Sequence, residues 1–230
     1  MKKIGDYTII EKLGSGQFST IYKCEKQSNP GHYFAIKKLS KSQINIDTLC
    51  RNLFKTEVTI MAKLFHPNIL HLHHYLVTEN SYYLIVDYCN NGDMGSFVAS
   101  KKFLSEKLAV FFLKQIMNGF RELHRHKIMH RDLKLANIFL NDNKVVIGDF
   151  GFAKMGVEQT CTTLGTLYTM APELIDKKDS WVYTDKVDLW AIGVCFYFML
   201  FGQPPFYTTN LEDFKKQMLS DSGENLKFDD

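Results

Sequence analysis

The sequence predicts an α+β chain in two lobes: a small antiparallel-sheet lobe with one main helix at residues 1–86, and a larger, mainly helical lobe at residues 93–230. Residues 87–92 form the predicted hinge between them. Three observations carry this reading. Short segments that alternate apolar and polar residues crowd the first third of the chain, a helix-period apolar stripe runs from Leu104 to His126, and an almost unbroken apolar run spans Leu189 to Phe201. With 230 residues, 45% hydrophobic and 13% aromatic, the chain can fill a core of this size.

In chain order, "YTIIEKL" and "STIYKCEK" flank a glycine turn, and "YFAIKKL" follows the breaker "SNPGH", giving three antiparallel strands. From Asp47 to Leu64 the residues Leu49, Leu53, Val58, Met61 and Leu64 recur near helical spacing, which predicts a helix. "HPNIL" ends it, and "YYLIVDY" is a further strand. Beyond "NNGDM" the texture becomes helical, with Val110, Leu113, Met117, Phe120 and Leu123 expected on the buried stripe of Leu104 to His126. "LWAIGVCFYFMLF" falls short of the ~20 residues of a membrane span and reads as a buried helix. One more helix is expected near Leu211 to Leu219, and no internal repeat or low-complexity tract is present.

The charge balance excludes some partners. Against 25 acidic residues, 28 Lys and Arg leave a net charge of +3, too slight for nucleic acid or anionic lipid to be the main partner. The five cysteines are odd in number, scattered and never in a C-x-x-C pair, so neither a disulfide framework nor a zinc ribbon is expected. A reducing compartment follows, and "MKKIGDYTII" breaks with Gly5, Asp6 and Thr8 before a signal peptide's apolar region can form. The expected location is the cytoplasm, with access to the nucleus. In "HLHHY", His71 and His73 would share one face of a strand with no acid or cysteine nearby, and His124 and His126 stand before a loop; all four read as solvated.

Several residues carry candidate chemistry. Gly14 and Gly16, in "EKLGSGQFSTIYK", let the backbone approach a ligand and aim N–H groups at it, although from this stretch a plain hairpin turn is as good a reading. Lys37 interrupts the apolar strand "AIKKL", either as a solvated outer-face lysine or as one half of an ion pair. Glu57 favours the pair, because it is the only acid between Thr48 and Thr78. Such a pair would orient the ammonium toward phosphate oxygens.

Two downstream stretches decide between these readings: "IMHRDLKLANIFL", Ile128 to Leu140, and "VVIGDFGFAK", Val145 to Lys154. Here the chain resembles the eukaryotic protein kinase catalytic domain of the serine/threonine type. His130, Arg131, Asp132, Leu133, Lys134 and Asn137 match H-R-D-L-K-x-x-N, and Asp149, Phe150 and Gly151 match D-F-G. The glycine loop, Ala35-Ile36-Lys37, Glu57 and Ala171-Pro172-Glu173 follow in the family's order, and "DKVDLWAIG" resembles the helix that supports the catalytic loop.

The resemblance implies Mg2+-dependent transfer of the ATP γ-phosphate to Ser or Thr of a protein substrate, in intracellular signalling. Phosphoryl transfer needs a metal to neutralise phosphate charge, so Asn137 and Asp149 should converge on Mg2+. Asp132 stays off the metal to orient or accept the proton of the attacking hydroxyl, while Lys134 neutralises the phosphoryl group. Leu13, Gly14, Ser15, Gly16, Gln17 and Phe18 become a flap over ATP, Lys37 binds its phosphates, and Ile21, Ala35 and Phe139 sandwich adenine. Val86 is the gatekeeper, Asp87 and Cys89 offer backbone bonds to adenine, and Asp93 lies near the ribose. Met61, Leu72, His130 and Phe150 match the hydrophobic spine joining the lobes, which makes His130 structural.

Thr166 matches the threonine that bonds the catalytic aspartate and lysine, and Lys134 itself is typical of serine/threonine enzymes. Thr162 falls where activating phosphorylation is common, by an upstream kinase or in trans, with Arg131 as the implied phosphate partner. Departures are Ser19 in place of a third glycine, Leu135 and Ala136 where many members have Pro and Glu, and no proline after Gly165-Thr166. Because the chain stops at Asp230, the family's last helices, and the arginine that partners Glu173, are expected to be missing. A nucleotide-binding scaffold and a small-molecule kinase are the competing functions; intact Lys37, Glu57, Asp132, Asn137 and Asp149 speak against the first and the A-P-E segment against the second.

Overall fold

The alternating segments of the first third form one six-stranded antiparallel sheet, in the order β1-β2-β3-β4-β6-β5. Its strands are β1 (Lys3–Ile4), β2 (Tyr7–Ser15), β3 (Ser19–Lys26), β4 (Tyr33–Ser40), then, after helices α1 (Lys41–Ile44) and α2 (Thr48–Lys63), β5 (Leu72–Val77) and β6 (Ser81–Asp87). The computed structural model describes residues 2–16, 19–45, 48–151, 153–155, 167–175, 184–206 and 211–219. The pleat sorts side chains by face. Ile21 stands opposite Lys37, Lys23 opposite Ala35, Lys37 opposite Leu84 and Ala35 opposite Val86, so these six share the inner face. The outer face buries its own cluster of Ile4, Tyr7, Cys24, Phe34, Ile36, Tyr83 and Ile85.

The second lobe starts with α3 (Met94–Lys101), capped by Asp93, whose carboxylate accepts from the Ser96 N–H and hydroxyl. It continues through α4 (Glu106–Arg125), β7 (Ile128–Met129), the hairpin β8 (Ile138–Asn141) and β9 (Lys144–Ile147), and β10 (Lys154–Met155). Short 3-10 turns at Leu135–Asn137 and Leu167–Thr169 and the helices α5 (Pro172–Ile175), α6 (Lys186–Phe201) and α7 (Leu211–Leu219) complete the described elements. Helix α6 is apolar on nearly all sides and ends at Gly202, whose φ of 70° is a left-handed cap. Phe214 of α7 packs with Met129, Met170, Leu174 and Val187 in a second small core. Among the described residues no helix is long and apolar enough to cross a membrane.

Two expectations need correction here. On α4 the fully buried stripe is Ala109, Phe112, Ile116, Gly119 and Leu123, whereas the predicted Val110, Leu113, Met117 and Phe120 are only half-buried beside it. The expected stripe lies one position to the side of the buried one, so it missed the large residues Phe112 and Ile116 together with Ala109 and Gly119, and Gly119 is where Asn68 and Ile147 of β9 come closest. Helix α3 was not anticipated, since its segment "MGSFVASK" has too few large apolar residues to show a period.

The lobes are stitched by the loop "HPNIL". The Asn68 side-chain amide donates to the Val145 carbonyl at 2.8 Å, the Ile147 N–H donates to the Asn68 carbonyl at 2.9 Å, and the Leu70 N–H to the Ile147 carbonyl at 2.8 Å. Gly119 lies under this stitch: a Cβ there would stand 2.7 Å from the Asn68 carbonyl oxygen and 2.9 Å from Ile147 Cδ1. Gly119→Ala would gain about 1 kcal/mol of helix propensity but overpack a backbone carbonyl that cannot swing aside. The expected net result is destabilisation by about 1–2 kcal/mol, read as a lower urea midpoint; an unchanged or raised midpoint would mean that α4 can slide off β9.

Candidate active site

Strand β4 aims Lys37 inward, so the outer-face reading of this lysine fails. Its Nζ lies 2.6 Å from Glu57 Oε1 and 3.3 Å from Asp149 Oδ1, joining the sheet, α2 and the turn after β9. Burial works against the lysine's charge, yet the two carboxylates outweigh it and hold the ammonium above its ordinary pKa. For Asp149 burial works upward, but the Lys37 ammonium holds the carboxyl below the usual carboxylate value. Glu57 is 5% exposed and Asp149 48%, so one acid anchors the lysine from the core while the other faces the cleft. Asp149 has a φ of 61°, a costly left-handed backbone for a non-glycine residue.

The catalytic-loop residues are fixed from beneath by Asp188 of α6. This fully buried carboxylate accepts from the backbone N–H of His130 at 2.7 Å and of Arg131 at 2.8 Å. Burial pushes its carboxyl pKa up, and the two N–H bonds oppose that shift. The buried His130 ring lies 3.0 Å from the Gly148 carbonyl at Nε2 and 3.3 Å from the Asp132 N–H at Nδ1, an arrangement satisfied by the neutral ring protonated on Nε2. It also packs against Phe150, the ring centroids 5.1 Å apart. With both nitrogens engaged, His130 orients its neighbours. Arg131 has a φ of 66°, strain that these bonds sustain.

Asp132 is buried, and its Oδ2 receives Lys134 Nζ at 2.9 Å and Asn137 Nδ2 at 3.0 Å. Asn137 Nδ2 also donates to the Asp132 carbonyl at 2.8 Å, which turns the amide oxygen away from this pair. Asn137 and Asp149 thus offer oxygen donors only. That suits a hard ion such as Mg2+, which completes its shell with water and phosphate and needs no all-protein cage.

At the other end of the cleft Val86 and Ala35 are buried, and Ile21 and Phe139 are half-buried. Gly14 and Gly16 are not required by the fold. A Cβ on Gly14 would meet nothing within 4 Å, and one on Gly16 would touch only Ser19 Oγ, at 3.4 Å. Leu13 and Ser15 are exposed. Gln17, Phe18, Thr162 and Thr166 lie outside the described residues. Cys89 is an inert thiol, since burial pushes its pKa up to about 12. Asp93 is committed to capping α3, so any ribose hydroxyl must share its carboxylate with Ser96.

The histidines of "HLHHY" are not simply solvated. Asp87, 14 residues on, accepts from His73 Nε2 at 2.7 Å and from the His71 N–H at 3.2 Å. A β-bulge between Leu72 and His74 shifts the strand register, so an acid remote in sequence reaches these residues. His124 and His126 are exposed as expected but pair with Asp185 and with Glu122. Asp142 ties the hinge to the β8–β9 turn: its N–H donates to the side chains of Asn90 and Asn91, and Asn90 Nδ2 returns a bond at 2.8 Å. Asn68, His73 and Asp188 were the positioning residues hardest to single out. Asp188 had a readable signal, a lone acid inside an apolar helix, the same sign that marked Glu57.

A lysine held between two acids, with an Asp-Lys-Asn cluster in the second lobe and a glycine turn in the first, makes a candidate phosphotransfer site. The family model of the protein kinase domain matches residues 7–228, and the chain belongs to this family. Among curated relatives, serine/threonine-protein kinase ULK3 of Xenopus laevis is 35% identical over 95% of this chain and 47% of its own length. Serine/threonine-protein kinase atg1 of Dictyostelium discoideum is 34% identical over 95% of this chain and 34% of its own. Serine/threonine-protein kinase PLK4 of Xenopus tropicalis is 36% identical over 90% and 22%. The chain thus spans about half the length, or less, of these relatives.

Removing Asp188 would orphan the buried N–H of His130 and the half-buried N–H of Arg131. Asp188→Ala is expected to destabilise by about 2–6 kcal/mol, at ~1–3 for each, with Asp188→Asn recovering part because its one oxygen can serve one N–H. Urea unfolding tests this, and equal midpoints for Asp188→Ala and the parent would show the loop to be held by other contacts.

Proposed function

We propose that this chain is an ATP-dependent protein kinase that transfers the γ-phosphate to serine or threonine hydroxyls of protein substrates. The observation that carries the reading is Lys37 held between Glu57 and Asp149 while Asp132 keeps Lys134 and Asn137 within hydrogen-bond reach. Asp132 orients the substrate hydroxyl and takes its proton, Lys134 steadies the transferred group, and Lys37 grips the nucleotide phosphates. Asn137 and Asp149 would hold Mg2+, which supplies charge neutralisation when bound. Leu13 to Phe18 close over the phosphates, Ile21, Ala35 and Phe139 pack on adenine under the gatekeeper Val86, and the Asp87 and Cys89 backbone meets its edge.

Thr166 supports the Asp132–Lys134 pair, and Thr162 is the site of activating phosphorylation, by an upstream kinase or in trans. The compartment is the cytoplasm, with nuclear access, and the role is in signalling. Ala136 is exposed where an acid would attract basic substrates, which argues against a strongly basophilic preference.

A phosphotransfer assay on a generic Ser/Thr protein substrate tests the reading. Lys37→Met and Asp132→Ala should each lose roughly 100-fold or more in kcat, and Asp149→Ala should be inactive. Tight ATP binding without turnover by the parent chain would instead identify a nucleotide-binding scaffold, and phosphorylation of small molecules alone would identify a different substrate class. Thr162→Ala should be less active than the phosphorylated parent; equal rates would remove Thr162 from the switch.

The glycine turn supplies a separate check. Gly16→Val should weaken ATP binding strongly with little change in Tm, because the fold leaves room for the side chain, while Ser19→Gly should change affinity only slightly. A large gain in affinity for Ser19→Gly would overturn this view of the loop.

A further inference from the structure

The inner face of the sheet carries a second lysine. Lys23 lies two residues from Ile21 on β3 and directly opposite Ala35, so the pleat sets it beside the two residues placed against adenine, on the hinge side of Lys37. Its side chain is 20% exposed, and its carboxylate neighbour is weak: Glu11 Oε1 stands 3.7 Å away on a residue 56% exposed. The ammonium lies instead over two aromatic faces, 4.3 Å from the ring centroid of Tyr33 and 4.8 Å from that of Tyr88. The two rings meet edge to face, 6.2 Å apart.

Tyr88 is a hinge residue, and its position gives the contact its meaning. On the sheet side the hinge is gripped at Asp87 by His73, and on the helical side at Asn90 and Asn91 by Asp142. Tyr88 and Cys89 lie between these grips. The Lys23 ammonium bonds the Tyr88 ring back to β3 and to Tyr33 of β4.

We propose that Lys23 is a positioning residue for the nucleotide: by clasping Tyr88 against the sheet it sets the backbone of Tyr88 and Cys89 at the adenine end of the cleft. The inference rests on the ATP reading above. Lysine suits the task because its long apolar stem crosses the sheet face while its head meets the rings. Arginine, which stacks well on aromatic faces, should replace it. An apolar side chain of similar length should not.

Titration calorimetry with ADP, alongside thermal unfolding, tests this. Lys23→Met should raise the ADP Kd about five- to tenfold, the range that a partly desolvated cation–π contact of roughly 1–1.5 kcal/mol allows, while Lys23→Arg and Tyr88→Phe stay within about twofold of the parent. Tyr88→Leu attacks the clasp from the other side and should match Lys23→Met, the double variant being no worse than either. An unchanged Kd in Lys23→Met or in Tyr88→Leu, with or without a lowered Tm, would overturn the proposal, as would a loss in Lys23→Arg as large as in Lys23→Met. Failure of the parent chain to bind ADP would count against the ATP reading itself, a result distinct from these.

Discussion

The structure turns on one half-buried cation. Lys37 sits on a central strand, and its ammonium is lodged between carboxylates 20 and 112 residues away in sequence. A buried lysine with no partner would shed its proton or unfold its surroundings. Here Glu57, itself almost wholly buried, repays the desolvation, and the cost of breaking such a pair keeps α2 docked on the sheet. Because the same ammonium also reaches Asp149, the helix, the sheet and the turn after β9 are positioned relative to one another by a single charge.

Around that cation, buried polar groups do most of the joining and apolar groups most of the filling. Asn68 stitches the lobes by giving its amide to one strand carbonyl and its own carbonyl to a strand N–H. Asp188 holds the loop of His130 and Arg131 from below. His73 and Asp142 hold opposite ends of the hinge. A directional bond fixes register where packing alone would allow sliding, which explains why these groups gather at junctions between elements. The strained backbones of Arg131 and Asp149 stand at the same junctions.

Much of this was legible in the chain. The first strands declared themselves through short, partly alternating apolar segments between breakers, and the long helices through length and period. The residues of the candidate site were singled out by the stretches "HRDLKLAN" and "GDFG" and their resemblance to the protein kinase family. Helix α3 was not, because its eight residues bury only Met94 and Val98 and show little period, and on α4 the period was legible but its buried face was set one position off, on the half-buried residues Val110, Leu113, Met117 and Phe120.

By itself the sequence determined which segments could be strand or helix, which side chains had the chemistry for phosphoryl transfer, and that Glu57 needed a basic partner. Only the tertiary structure decided that Lys37 serves two acids at once, that Asp87 pairs with His73, and that Lys23 clasps Tyr88. Each of those contacts depends on strand register, and the Asp87–His73 pair on the bulge between Leu72 and His74 as well. A one-residue slip would send each side chain to the opposite face of the sheet, and local sequence does not specify which strands become neighbours.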